Sequence, residues 1–221
     1  MQLAQARGLV FDLDGTLVDS LDDIMLHLNA ALADKGLPIR SREEVGEWVG
    51  YGAENLVIRV VPHPEMVADT LARFREHYRA RPVVHTCVYP DLANVLDRIA
   101  PGRKLAVLSN KPHELTVRVC EQLLGAWPFS VIAGQRSGKP HKPDPAALLD
   151  VCAELALSPS ECVMIGDSEV DVATGRAAHI PSVAVSWGLR ALSILEAAKP
   201  DYLVHTPGEL AALFALPVTD R

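Results

Sequence analysis

Two aspartates one residue apart, Asp12 and Asp14, follow the short apolar run Gly8-Leu9-Val10-Phe11. Asp167 and Asp171 follow a second such run, Cys162 to Ile165. Ser109-Asn110-Lys111 follows a third, and Lys142 stands directly before Pro143-Asp144-Pro145. Taken singly, each is ordinary. Asp-Gly is common in turns, and acids at a helix start are favoured by the helix dipole. Brought together they would be something else. Like charges ~4 Å apart repel by about 4 kcal/mol even at an effective dielectric of 20, so Asp12, Asp14, Asp167 and Asp171 in one pocket need compensation. A hard divalent cation with oxygen ligands supplies it, and Mg2+ in particular shares its coordination with a substrate phosphate. Lys142 adds a fixed positive charge. The Ser109 hydroxyl and the amides near Leu13 and Asn110 offer donors to an oxyanion. Such a gathering is a phosphate site with a carboxylate placed to attack phosphorus.

Convergence requires that the apolar runs be neighbouring parallel strands. From about Val83 onward, short apolar runs alternate with helical patterns. Strands are expected at Lys104–Leu108, Phe129–Ala133, Cys162–Ile165, Pro181–Val185 and Tyr202–Val204. Helices are expected at Glu114–Leu124, Pro145–Ala156 and Val170–Ala178, with a last one after Val204. This alternation predicts an α/β fold, a doubly wound parallel sheet of the Rossmann-like kind with helices on both faces. Ligands on such sheets bind beyond the C-terminal strand ends. Between Ser20 and Arg81 the pattern is helical throughout. Ser20 with Asp22 and Asp23 offers a helix start, Gly36 and Pro38 an end, and Ser41 to Glu44 a capping box. Further helices are expected over Glu54–Val61 and Glu65–Arg79. The organisation predicted is therefore a core of residues 1–17 and 83–221, interrupted by an all-helical insert, 18–82.

The chain has 221 residues and a formal net charge of -7, with 49% hydrophobic and 22% charged residues. This composition suits a folded protein with a sizeable core. Without a Lys/Arg block, nucleic acid is not an expected partner. No apolar stretch approaches the ~20 residues that span a bilayer, and the first residues lack a signal-peptide pattern, so the expectation is a soluble, cytoplasmic protein. The four cysteines form no CxxC pair and read as reduced thiols.

The segment FDLDGTLVDS resembles the first motif of the haloacid dehalogenase-like hydrolase superfamily. LAVLSNK resembles its second, KPDP its third and MIGDSEVD its fourth, in the same order and over essentially the whole chain. The insert between the first two motifs is similar to that superfamily's helical C1 cap. Val49 to Leu56, Tyr89-Pro90 and Asn110-Lys111-Pro112 resemble the phosphoglycolate phosphatase group. The resemblance implies Asp12 as nucleophile and Asp14 as general acid/base, with a backbone carbonyl toward the metal. It implies Ser109 and Asn110 as phosphate contacts, and Lys142 as the lysine screening phosphate from Asp12. It further implies Asp167 as a Mg2+ ligand and Asp171 as a ligand through water or a neighbour. The expected activity is Mg2+-dependent hydrolysis of a small phosphorylated metabolite by a monomer or homodimer. The alternatives are a phosphoryl transferase such as a sugar phosphomutase, or a binding protein on the same fold.

Other residues carry weaker expectations. Lys139 is expected to be a solvated loop charge and Lys111 to face solvent, the alternative being that Lys111 touches substrate. Arg59, Arg73 and Arg75 read as surface charges of the insert, although one could meet a substrate carboxylate. The loop with Gly50 and Gly52 either joins helices or reaches down to the site. Asp19 and Ser20 read as hinge and cap-entry residues, Trp187-Gly188 as packing near the site, and the eight histidines as core or surface residues.

Overall fold

The computed structural model describes residues 3–215, so residues 1–2 and 216–221 of the expected core lie outside the described residues. Strand β1 (Gly8–Phe11) leads through β2 (Val18–Asp19) into four helices, α1 (Leu21–Ala33), α2 (Arg42–Trp48), α3 (Ala53–Val60) and α4 (Val67–Ala80). The chain returns through β3 (Cys87–Val88) and α5 (Leu92–Ile99). It then alternates through β4 (Lys104–Pro112), α6 (His113–Leu123), β5 (Phe129–Gln135), α7 (Ala146–Glu154), β6 (Cys162–Gly166), α8 (Glu169–Ala177), β7 (Ser182–Val185), α9 (Leu192–Ala198), β8 (Tyr202–Val204) and α10 (Pro207–Leu213). No helix of the described residues is long and apolar enough to cross a membrane.

Six strands form one parallel sheet in the order β5-β4-β1-β6-β7-β8. The apolar runs are continuous because both faces are covered, and their residues alternate between two cores. Leu9, Phe11, Leu105, Val107, Val163 and Ile165 face α5 and α10. Val10, Ala106, Leu108 and Met164 face α7. Each fully buried side chain of this kind contributes about 1.5–3 kcal/mol.

Register is what matters for chemistry. Phe11 lies opposite Val107 on one side and Ile165 on the other. The residues just beyond, Asp12, Ser109 and Asp167, therefore emerge together at the C-terminal edge. β1 is also where the chain order reverses, with β4 on one flank and β6 on the other, the place where such sheets bind ligands.

The four helices of the insert share a separate core that includes Leu28, Leu32, Val57, Phe74 and Tyr78. Ser41 and Glu44 form the expected capping box. Gly36 ends α1 with φ +64°, and the Leu37 amide donates to the Leu32 carbonyl. The two connections to the sheet pair with each other, Val18 with Val88 and Asp19 with Cys87. Asp23, fully buried, fastens the return connection. Its carboxylate accepts from the amides of Val84, His85 and Thr86, each at 2.9 Å, and from the Thr86 hydroxyl at 2.5 Å. Burial pushes this carboxyl up, but the four donors outweigh it and hold it below the usual carboxylate range.

Several features depart from the sequence expectation, among them the short pairing of β2 with β3. Helices α5 and α9 are additional. β4 runs on to Pro112, because β5 continues alongside and Pro112 pairs with Gln135 after a register shift. Ser109-Asn110-Lys111 thus lies within a buried strand instead of beyond its end.

Candidate active site

Asp12 leaves β1 with its Oδ1 accepting from the Leu13 amide at 2.7 Å and 2.9 Å from Lys142 Nζ. Burial raises its pKa to about 7, against the pull of Lys142 and with a push from Asp171 and Asp14. The turn that follows needs Gly15. Its φ is +84°, and a Cβ there would fall 2.2 Å from Asp167 Oδ2. Asp167 accepts from the Thr16 hydroxyl at 3.2 Å and from the Leu189 amide at 2.7 Å. Its pKa rises to about 8 through burial, then through Asp12 and Asp171.

Asp171 caps a helix with one oxygen and meets Lys142 with the other. Oδ2 accepts from the Ser168 hydroxyl at 2.6 Å, which builds the cap of α8. Oδ1 accepts from Lys142 Nζ at 2.7 Å. Lys142, 2% exposed, therefore bridges Asp12 and Asp171. Lys139 is exposed in the loop after β5.

Carboxylate oxygens of Asp12, Asp167 and Asp171 lie within 4.8 Å of one another, all three residues buried. Three acids stand against one lysine, and burial has driven Asp12 and Asp167 toward protonation. A hard cation with oxygen ligands fits that donor set, so the cluster is compatible with Mg2+. The side chain of Asp14 is not part of it. Ser20 donates to Asp14 Oδ1 at 2.6 Å, and Lys111 Nζ lies 2.9 and 3.2 Å from its two oxygens. The main-chain carbonyl of Asp14 is the atom the sequence resemblance assigns to the metal.

Ser109 and Asn110 are buried beside Asp12. Asn110 Nδ2 donates to the carbonyls of Lys142 and Gly50, both at 2.9 Å. The glycine loop of the insert therefore does reach the site. A cavity of about 60 Å3 lies between the strand ends and the helices, with Asp12, Asp14, Ser109 and Asn110 on one side.

Lys111 corrects an expectation. It does not face solvent: it is buried, bonded to Asp14 and to the Tyr78 hydroxyl at 2.6 Å, with Nζ 4.4 Å above the Tyr78 ring centre. Burial would lower its pKa, but Asp14 and then Tyr78 outweigh it and hold the ammonium charged. Arg190 is a functional candidate the sequence reading did not raise. It lies 7% exposed after β7 and donates to the carbonyls of Gly46 and Val49 and to Glu169. Arg59, Arg73 and Arg75 do not line the cavity. Trp187 packs at the site edge as expected, its indole donating to the Thr16 carbonyl at 3.1 Å. Ser20 stands at the α1 start without a capping bond; its hydroxyl serves Asp14.

Residues 9–185 match the haloacid dehalogenase-like hydrolase family. The chain is 36% identical to a phosphoglycolate phosphatase of Chromobacterium violaceum over 218 residues, covering 95% of this chain and 97% of that one. It is 32% identical to one of Aquifex aeolicus over 208 residues, covering 94% and 96%. A crystal structure described as a predicted phosphoglycolate phosphatase of Haemophilus somnus superimposes with a TM-score of 0.86 at 26% identity, covering 96% of this chain and 99% of that one. With the family match running over residues 9–185 and relatives 36% and 32% identical over nearly its whole length, the chain belongs to the haloacid dehalogenase-like hydrolases, and its similarity within them runs to the phosphoglycolate phosphatase group.

Proposed function

We propose that the protein is a Mg2+-dependent phosphatase that hydrolyses a small phosphate monoester, phosphoglycolate or a close analogue, through an aspartyl-phosphate on Asp12. The observation that carries this reading is the convergence of Asp12, Asp167, Asp171 and Lys142 with Ser109 and Asn110 at one sheet edge.

In the first step an oxygen of Asp12 attacks phosphorus, and the bond from phosphorus to the ester oxygen breaks. Asp14 gives a proton to the departing alkoxide. In the second step Asp14 takes a proton from water, the water oxygen attacks phosphorus, and the Asp12–phosphorus bond breaks to release inorganic phosphate. Lys142 holds Asp12 in place and offsets charge between carboxylate and phosphate. Asp167, Asp171, Asp12 and the Asp14 carbonyl would hold Mg2+, which when bound neutralises charge and polarises the phosphoryl oxygens. Ser109 and Asn110 orient the phosphate.

Residues 18–82 act as a cap in this reading, closing over the site to exclude water and reopening to release product. The apolar insert side of the cavity supports hydrolysis of a small ester over transfer between sugar hydroxyls, which would need polar partners there. Free thiols at all four cysteines accord with a place in the reducing cytoplasm.

The test is phosphate release from a panel of phosphorylated metabolites with Mg2+, for the wild type and for Asp12→Asn. The expectation is turnover that a chelator stops, and loss by about a thousandfold or more in the variant with its circular dichroism unchanged. Undiminished turnover in Asp12→Asn would remove the covalent mechanism.

A further inference from the structure

The cavity at the strand ends is small, and its two sides differ in chemistry. The insert contributes apolar groups such as Ile24, Leu56 and Phe74, together with Tyr78. No lysine or arginine of the insert lines it. Among the described lining residues the one cation is Lys111, which comes from β4.

Lys111 can turn one donor to a ligand. Its ammonium carries three N–H groups; two go to the two oxygens of a single carboxylate, Asp14, at 2.9 and 3.2 Å, and one to the Tyr78 hydroxyl at 2.6 Å. The longer Asp14 bond is the one a ligand carboxylate replaces at least cost. Tyr78 accepts its bond from Lys111 and makes no other side-chain bond among the described residues, so its own proton is available to a ligand. The position is also informative. In the phosphatase reading, on which this inference rests, Asp14 must meet the ester oxygen. Lys111 Nζ stands one hydrogen bond beyond Asp14, so a group on the carbon attached to the ester oxygen reaches it.

We propose that Lys111, assisted by the Tyr78 hydroxyl, is the specificity-determining residue of this site, and that it pairs with a carboxylate on the leaving alcohol. A leaving group bearing an amine would meet a like charge there. A polyol would bring hydroxyls against Ile24, Leu56 and Phe74, where they find no partner. A short hydroxy-acid ester satisfies both walls.

The experiment compares kcat/KM for phosphoglycolate with that for ethyl phosphate, which has the same chain length and no carboxylate, with Mg2+. Wild type, Lys111→Met and Tyr78→Phe are measured. The ratio of the two substrates is the readout, because Lys111 also touches Asp14 and its loss can slow both. Ethoxide is the poorer leaving group and leans more on Asp14. A role exercised through Asp14 alone would therefore leave the ratio unchanged or raise it. The expectation is a fall in the phosphoglycolate preference of about 100-fold in Lys111→Met and about 10-fold in Tyr78→Phe. An unchanged or raised ratio in Lys111→Met overturns the assignment. If circular dichroism finds that variant unfolded, Tyr78→Phe decides by the same criterion. Wild-type protein releasing no phosphate from either ester would sink the phosphatase reading itself. Release from both with an insensitive ratio would sink the role of Lys111 alone.

Discussion

Replacing Arg190 by Met removes a guanidinium that ties the two parts of the molecule together over the site. Nη1 donates to the Gly46 carbonyl at 3.2 Å, Nη2 to the Val49 carbonyl, and Nε to Glu169 at 2.9 Å. Tyr51 donates to the other Glu169 oxygen at 2.7 Å. Gly46 and Val49 close α2 in the insert, where the helix dipole favours a cation. Glu169 opens α8 in the core. Burial pushes the Glu169 carboxyl up, but the Tyr51 hydroxyl and Arg190 bring it below its usual range. Between Val49 and Tyr51 lies Gly50, whose carbonyl accepts from Asn110. The clasp thus sets the loop that holds Asn110, the proposed phosphate contact. Hydrogen bonds to a charged group are worth about 1.5–3 kcal/mol each when kept from water. The Arg190 side chain is 4% exposed and Glu169 27%, and all these groups regain water once the clasp opens, so the sum is discounted to about 2–4 kcal/mol. At 1.4 kcal/mol per decade that raises the open population about 30- to 700-fold. Hydrogen exchange reads it directly. Amides of α2 and of residues 49–52 should exchange faster by that factor, with the amides of β6 unchanged, and kcat should fall as closure becomes rarer. Exchange within threefold of wild type together with normal kcat would refute the clasp.

Two further outcomes follow from the buried acids. Asp12 and Asp167 have folded pKa values near 7 and 8, against an ordinary 3.8, chiefly through burial. The folded protein then holds protons that the unfolded chain has lost, so chelator-treated protein should lose stability as pH rises from about 4 to 8. Added Mg2+ should restore it at pH 8. Urea midpoints in chelator that are equal at pH 5.5 and pH 8 would contradict this. Asp23→Ala leaves the amides of Val84, His85 and Thr86 without their acceptor and should cost about 3 kcal/mol. That corresponds to a Tm lowered by roughly 6–12 °C for a chain of this size, and a shift below 2 °C would show that the return connection is held otherwise.

What could be read from the sequence divides along the distance between partners. The strands were legible because each is a buried apolar run, and the site because its residues sit directly after those runs. Asp12, Ser109 and Asp167 converge through register alone, and register follows from the two-residue alternation of Leu9, Val10 and Phe11 and their neighbours. The helix α5 was equally legible, with Leu92, Val95, Leu96 and Ile99 at helical spacing; nothing physical hides it. Lys111 was different. Between Asn110 and Pro112 it looks like a residue leaving a strand, and only the pairing of Pro112 with Gln135 keeps it inside. Its partners Asp14 and Tyr78 are 97 and 33 residues away. Arg190 reaches Gly46 across 144 residues, with no periodic trace of the pairing.

That division has a chemical consequence. The groups proposed to move a phosphoryl unit, Asp12, Asp14, Lys142, Asp167 and Asp171, are carried on or beside the sheet edge, so local sequence specifies them. The groups proposed to meet the leaving alcohol and to hold the insert shut, Tyr78, Lys111, Gly50 and Arg190, bond across the boundary between insert and core. Their geometry depends on how two separately packed cores dock, and a single substitution in either core can change it without touching a motif. On the proposed mechanism, reaction type follows from short segments of this chain. Substrate choice follows from pairings such as Lys111 with Tyr78, which exist only when the two cores are apposed.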